Sequence, residues 1–155
     1  MPMSFILILK ERTGTMVNEI SFAREEKLDP DEFLDVLKSS TLGERRPVGD
    51  RKRIEKMCRN AGLVITARYQ GKLVGVARSV TDFAYCTYLS DLAVSESWQK
   101  KGIGKELVRM TREAVPEATL ILLAAPRAVS YYPRIGMTRH EATFILRETD
   151  VLNNT

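Results

Sequence analysis

Two periods of hydrophobic residues alternate along the chain, and between them they predict its elements. Val17 to Arg24 sets Ile20 and Phe22 between polar neighbours, the pattern of a strand with one dry face. Asp29-Pro30-Asp31-Glu32 reads as a helix N-cap, a proline at the first helical position and an acid at the third, with Phe33, Val36 and Leu37 as the buried stripe. A polar turn from Gly43 to Gly49 leads to a second capped helix from Asp50, in which Ile54, Met57, Cys58 and Ala61 recur at i, i+3, i+4 and i+7 and Gly62 marks the stop. Both helices are expected to cover one side of a sheet.

Strand-like runs follow. Leu63 to Arg68 and Leu73 to Ser79 flank Gln70-Gly71-Lys72, a hairpin signal, and Thr87 to Val94 supplies the central strand. Gly102 to Val115 is amphipathic, with Ile103, Leu107, Met110 and Ala114 on one face and Pro116 beyond its end. Thr119 to Ala125 is continuously apolar, as in a strand covered on both faces, and a crossover of this length implies that it runs parallel to residues 87–94. Pro126 to Ile135 reads as a short helix ended by Gly136, and His140 to Arg147 as a last antiparallel strand. The organisation expected is one domain over residues 17–147, between residues 1–16 and a polar tail at 148–155. Phe5 to Leu9 is either an extra strand or part of an extension ahead of a start at Met16.

Composition narrows the class. With 155 residues, 44% hydrophobic and 28% charged, the chain is a globular protein with one core and not a disordered one. A net charge of +4 suits an anionic ligand. The basic residues are dispersed apart from Arg45-Arg46, Arg51-Lys52-Arg53 and Lys100-Lys101, and no nucleic-acid motif accompanies them, so no nucleic-acid partner is expected. Cys58 and Cys86 fit no metal spacing and read as buried free thiols of a reducing compartment; no metal is expected. Phe5 to Leu9 is too short to span a membrane and lacks the basic flank of a secretory signal, which points to the cytoplasm without membrane association.

The candidate chemistry starts where Leu92-Ala93-Val94 runs through a polar loop into Gln99-Lys100-Lys101-Gly102-Ile103-Gly104-Lys105. The amides of residues 101–105 are the unpaired donors of a first helical turn, the glycines allow close approach, and the helix dipole favours an anion. Neither the Walker pattern nor the dinucleotide fingerprint is present. The Gln-x-x-Gly-x-Gly spacing after Leu-Ala-Val resembles the acyl-CoA motif of the GCN5-related N-acetyltransferase (GNAT) family. A second stretch, Ala128-Val129-Ser130-Tyr131-Tyr132-Pro133-Arg134-Ile135-Gly136-Met137, resembles that family's C-terminal aromatic-Tyr-x-x-x-Gly motif, with Met137 in place of the usual Phe and Ala125 where an Asn is frequent.

The resemblance implies a mixed α/β fold: a mostly antiparallel central sheet with one splayed parallel strand pair and helices on both faces. It also implies acetyl-CoA as co-substrate, its pantetheine arm against the backbone of Leu92, Ala93 and Val94, its pyrophosphate on Gln99 to Lys105 and a further contact at Ala128. Tyr132 stands at the position of the residue that protonates the leaving thiolate. The implied activity is direct transfer of acetyl to a primary amine, on a small molecule or a peptide, with a homodimer as the common assembly; the alternative is a non-catalytic acyl-CoA-binding or sensing module.

The base is the open position. Strict alternation sets Tyr88, Ser90, Leu92 and Val94 on one face of the central strand and Leu89, Asp91 and Ala93 on the other, unless a bulge re-aims Asp91. Asp91 is the nearest carboxylate, as base or as a hydrogen-bonded structural acid, and Ser90 with Tyr88 could instead hold a water chain. His140 reads as a structural or surface residue and Trp98 as packing beneath the phosphate turn. Arg45, Arg46, Asp82, Tyr85 and Tyr88 flank the acceptor side in such a fold and could favour an acidic acceptor.

Overall fold

A computed structural model of the chain describes residues 5–9 and 18–153. Among the described residues six strands form one sheet in chain order: β1 (Phe5–Leu9), β2 (Asn18–Glu25), β3 (Leu63–Tyr69), β4 (Lys72–Thr81), β5 (Cys86–Val94) and β6 (Thr119–Ile121). All neighbours are antiparallel except β5 and β6, which are parallel. The helices are α1 (Pro30–Ser39), α2 (Arg51–Arg59), α3 (Ile103–Ala114) and α4 (Tyr131–Arg134). The chain forms two compact units that divide between Leu123 and Ala124, the first holding the sheet and α1 to α3, the second holding α4.

Local chemistry sets the helix starts. Asp29 Oδ1 accepts the amides of Asp31 and Glu32 at 2.9 and 3.0 Å with Pro30 at the first helical position, and Asp50 Oδ1 accepts Arg53 N at 3.0 Å. α2 stops at Arg59 and not at Gly62, because Asn60 caps it: both its backbone and side-chain nitrogens donate to Lys56 O, at 3.0 and 2.9 Å. Gln70 and Gly71 both take positive φ, 49° and 80°, in the tight turn that joins β3 to β4.

The sheet is covered on both faces, as the predicted fold class requires. Phe33, Val36 and Leu37 of α1 and Ile54 and Cys58 of α2 pack with Val64, Leu73, Val76 and Ala93 in one core. Gly75, next to Val76, points the opposite way, and a Cβ there would lie 3.2 Å from Ile103 Cγ2 and 3.2 Å from Leu107 Cδ1. α3 therefore crosses the other face, close enough that β4 has glycine beneath it.

The segment between α1 and α2 begins with a 3-10 turn, Thr41–Arg45, that presents Arg46 to the sheet. Gly43 is buried in it, and a Cβ there would meet the backbone oxygen of Leu37 at 2.6 Å. Since that oxygen belongs to α1 and cannot swing away, Gly43→Ala is expected to lower stability by about 1–3 kcal/mol, read as an earlier urea midpoint.

One open alternative is decided and three expectations are corrected. Phe5 to Leu9 is a strand, paired with β2, while Met16 lies outside the described residues. The second parallel strand is Thr119–Ile121 and not 119–125, and Ile121 and Leu123 are exposed, so this apolar run is not covered on both faces. Residues 140–147 form no strand, and Phe144 is 93% exposed. The alternation of Ala142, Phe144 and Leu146 makes a strand only when another strand completes its hydrogen bonds, and none pairs with it among the described residues. The predicted helix over 126–135 is two short pieces, a 3-10 turn at Pro126–Ala128 and α4, ended as expected by Gly136 at φ 97°.

Candidate active site

A bulge in β5 organises the site. Along β4, Arg78 pairs with Asp91 and the next residue, Ser79, pairs with Leu89, which leaves Ser90 as the extra residue. Neighbours on β4 point to opposite faces, so Asp91 and Leu89 do too, although they are two apart. This corrects the strict alternation: Tyr88, Asp91 and Ala93 share the face covered by α1 and α2, and Leu89, Leu92 and Val94 share the face covered by α3.

Asp91 is fully buried, and both of its oxygens are taken by arginines. Arg46 Nε donates to Oδ1 and Arg78 Nε to Oδ2. The same guanidinium groups hold the bulged residue: Arg46 Nη2 donates to Ser90 O at 2.7 Å, and Arg78 Nη2 to Ser90 Oγ at 3.2 Å. Arg46 Nη1 donates to Arg45 O at 2.9 Å and Arg78 Nη1 to Met57 O at 3.3 Å. Three segments distant in sequence thus meet on one carboxylate. Sequence reasoning named Asp91 and Ser90 but missed that Arg46 and Arg78 bind them. A readable signal existed, since Arg78 is a lone charge inside the apolar run of β4 and a buried arginine calls for a buried acid.

The anion turn has the expected form. Gly102 caps α3 in the left-handed region at φ 83°, and no side chain caps the helix, so the first-turn amides have no intrahelical or side-chain acceptor. Lys100 is left-handed as well, at φ 61°, and Lys100, Lys101 and Lys105 are exposed around the turn. Gln99 is exposed too, and its Nε2 donates to Val94 O at 2.9 Å, which closes the loop between β5 and α3. Trp98 packs against Tyr69, ring centroids 4.7 Å apart, with Lys101 Nζ 4.9 Å above it, in keeping with a packing role.

The backbone of Leu92, Ala93 and Val94 lies beside this turn. β6 pairs with β5 only from Cys86 to Tyr88, so beyond Tyr88 that edge of β5 has no strand neighbour among the described residues. An extended chain could add there. An open edge that leads to an uncapped, lysine-flanked helix start fits a phosphate-bearing extended ligand such as acetyl-CoA.

Tyr132 and Ala128 belong to the second unit. The Tyr132 carbonyl accepts the amides of Ile135 and Met137 at 3.1 and 3.0 Å, so the Gly136 turn fixes this residue's backbone. Burial, and to a lesser extent the neighbouring Tyr131, push its hydroxyl pKa up. Ala128 N donates to Ala125 O at 2.8 Å.

Other candidates settle into structural duties. Asp82 accepts the amides of Ala84, Tyr85 and Cys86, which hold its carboxyl down at about 2. Cys86 is exposed, contrary to expectation, because it lies next to this surface turn; Cys58 is buried. His140 Nδ1 accepts Ala142 N at 3.2 Å in an exposed segment. Among the described residues no three His, Cys, Asp or Glu side chains are grouped to hold a metal, and no helix is long and apolar enough to cross a membrane.

A sheet opened at one parallel pair, with a bulged central strand running to an uncapped helix start, is the arrangement that the resemblance to acyltransferases implies. A sequence profile of the acetyltransferase (GNAT) family matches residues 28–137, and the chain belongs to that family. The uncharacterized N-acetyltransferase ycf52 of Pyropia yezoensis is 26% identical in an alignment of 102 residues that covers 61% of this chain and 57% of the relative, so the match spans little more than half of that protein. Among solved structures, a GNAT-family acetyltransferase from Streptococcus pneumoniae superposes with a TM-score of 0.67 at 22% identity, over 83% of this chain and 99% of its own. An aminoglycoside N-acetyltransferase in complex with CoA gives 0.64 at 13% identity, over 85% and 96%. At these identities the likeness is one of fold.

Proposed function

We propose that the chain is an acetyl-CoA-dependent N-acetyltransferase that passes the acetyl group directly to a primary amine within a ternary complex. The observation that carries this reading is the uncapped first turn of α3 beside the unpaired edge of β5. Family membership supports acyl transfer, and the fold shared with an aminoglycoside N-acetyltransferase favours a small amine as acceptor.

In this reading acetyl-CoA supplies the activated acetyl group as a thioester. The first-turn amides of α3 with Lys100, Lys101 and Lys105 hold its phosphates, and the backbone of Leu92, Ala93 and Val94 orients its arm. The amine nitrogen forms the new C–N bond as the C–S bond breaks; the amine loses its proton to solvent, and Tyr132 gives one to the departing thiolate. For an amine of pKa about 10.4, deprotonation at pH 7 costs roughly 4–5 kcal/mol, so proton removal needs more help than thiolate departure. Asp91 is an unsuitable base, because each of its oxygens already accepts from a guanidinium. We assign it to hold the bulge and give the relay to water at Ser90, whose Oγ accepts from Arg78 and keeps its own proton to donate.

The lack of a free carboxylate on β5 favours a second reading, a module that binds acyl-CoA without turnover. Release of free thiol from acetyl-CoA over a panel of small amines and peptides separates the two: tight binding with no release for any acceptor would leave the module. A further test addresses the turn. A Cβ at Gly102 would meet nothing within 4 Å, so only its left-handed φ opposes Gly102→Ala. The expected result is a stability loss of about 1–2 kcal/mol and roughly tenfold weaker acetyl-CoA binding by calorimetry as the amides turn away.

A further inference from the structure

The face that carries Arg78 and Asp91 continues one row further, and there its character changes. Val80 pairs with Tyr88 across β4 and β5, and Tyr88 pairs with Ile121 across β5 and β6. Residues in register project to the same face, so these three side chains make one row across three strands. The row lies at the last pair before β5 loses β6 as its neighbour. Val80 is 53% exposed, Tyr88 36% and Ile121 55%, whereas Val76 and Ala93 on the same face are buried beneath α1 and α2. A single exposed apolar residue is ordinary; three in register at the mouth of a binding edge form a surface that a ligand can cover.

Charge around the row limits what that ligand is. Between Lys72 and Val94 the carboxylates are Asp82 and Asp91, and both are committed, the first to three backbone amides and the second to Arg46 and Arg78. Arg46 is equally committed, which removes it as a receptor for an acidic acceptor. The row therefore offers apolar area on two strands, β4 and β5, that carry no uncommitted carboxylate for additional ammonium groups, on a chain whose net charge is +4.

We propose that the Val80–Tyr88–Ile121 row receives the carbon frame of the acceptor, so that the preferred acceptor is a small monoamine with an apolar flank and polycationic amines are disfavoured. This rests on the N-acetyltransferase reading above. An amine that approaches the unpaired edge of β5 just beyond Tyr88 lays its carbon frame on Tyr88, which excludes water from the frame. A second or third ammonium group would lie on the same apolar surface, where β4 and β5 offer it no counter-charge.

The experiment compares kcat/KM for benzylamine and hexylamine with that for spermidine and an aminoglycoside, alongside acetyl-CoA binding by calorimetry. The monoamines are expected to lead by roughly tenfold or more. Tyr88→Ala is expected to raise KM for benzylamine by about tenfold with a smaller change in kcat and none in acetyl-CoA affinity. Tyr88→Glu is expected to shift the ratio towards spermidine, and Val80→Ser repeats the test from the neighbouring strand should Tyr88→Ala melt early. Preference of the unmodified chain for spermidine or the aminoglycoside, or unchanged selectivity in the variants, overturns the inference and leaves acetyl transfer standing. Tight acetyl-CoA binding with no turnover of any amine overturns both.

Discussion

Asp91→Asn is expected to lower the unfolding free energy by about 3–5 kcal/mol, the range for removing one partner of a buried ion pair. The reason is what remains behind. Arg78 is 6% exposed and has Asp91 as its counter-charge, so the amide would leave a guanidinium in the core with neutral acceptors alone. Arg46, 20% exposed at its side chain, can recover water, and Arg46→Met should cost less. The paired replacement Asp91→Leu with Arg78→Met, which removes charge and counter-charge together, should lie closer to the unmodified chain than Asp91→Asn does. Urea unfolding of the four proteins checks the order. A base at Asp91 predicts the reverse pattern, an Asn variant with native stability and a pH–rate profile stripped of its acid limb; that outcome would return Asp91 to the chemistry.

The same residues show what could be read from the sequence. Asp29 and Asp50 cap their helices as written, because capping is settled within three residues. Gly102 and its uncapped turn are local as well, and the strand, crossover and helix around them follow from periodicity and length. The bulge at Ser90 is different. It is a mismatch in residue count between two paired strands, so no window on β5 contains it, and it reassigns the face of every side chain beyond it. Arg46 lies 45 residues from Asp91, and its guanidinium looked like acceptor-side charge until the 3-10 turn after α1 placed it on the sheet. Residues 140–147 fail in the opposite sense: their alternation is real, but a ladder is a property of two segments and only one was legible.

Tyr132→Phe is expected to lower kcat on the order of a hundredfold, the lower end of what a positioned acid contributes, while acetyl-CoA affinity stays unchanged. The substitution removes one oxygen and keeps the ring, which packs edge-on against Tyr131 at 5.3 Å between centroids. The backbone turn that fixes it, closed at Gly136, uses only the carbonyl of this residue. Burial holds the hydroxyl above its ordinary value of 10.0, so it stays protonated through neutrality and contributes no falling limb to the rate below that pH. The rate of the unmodified chain should therefore rise with the neutral fraction of the amine. In the Phe variant the deficit should narrow above about pH 8.5, where a thiolate leaves without needing a proton. Stopped assays of thiol release from pH 6 to 10 measure both curves. A Phe variant that matches the unmodified chain at every pH would make Tyr132 a packing residue, and the leaving thiolate would then take its proton from water.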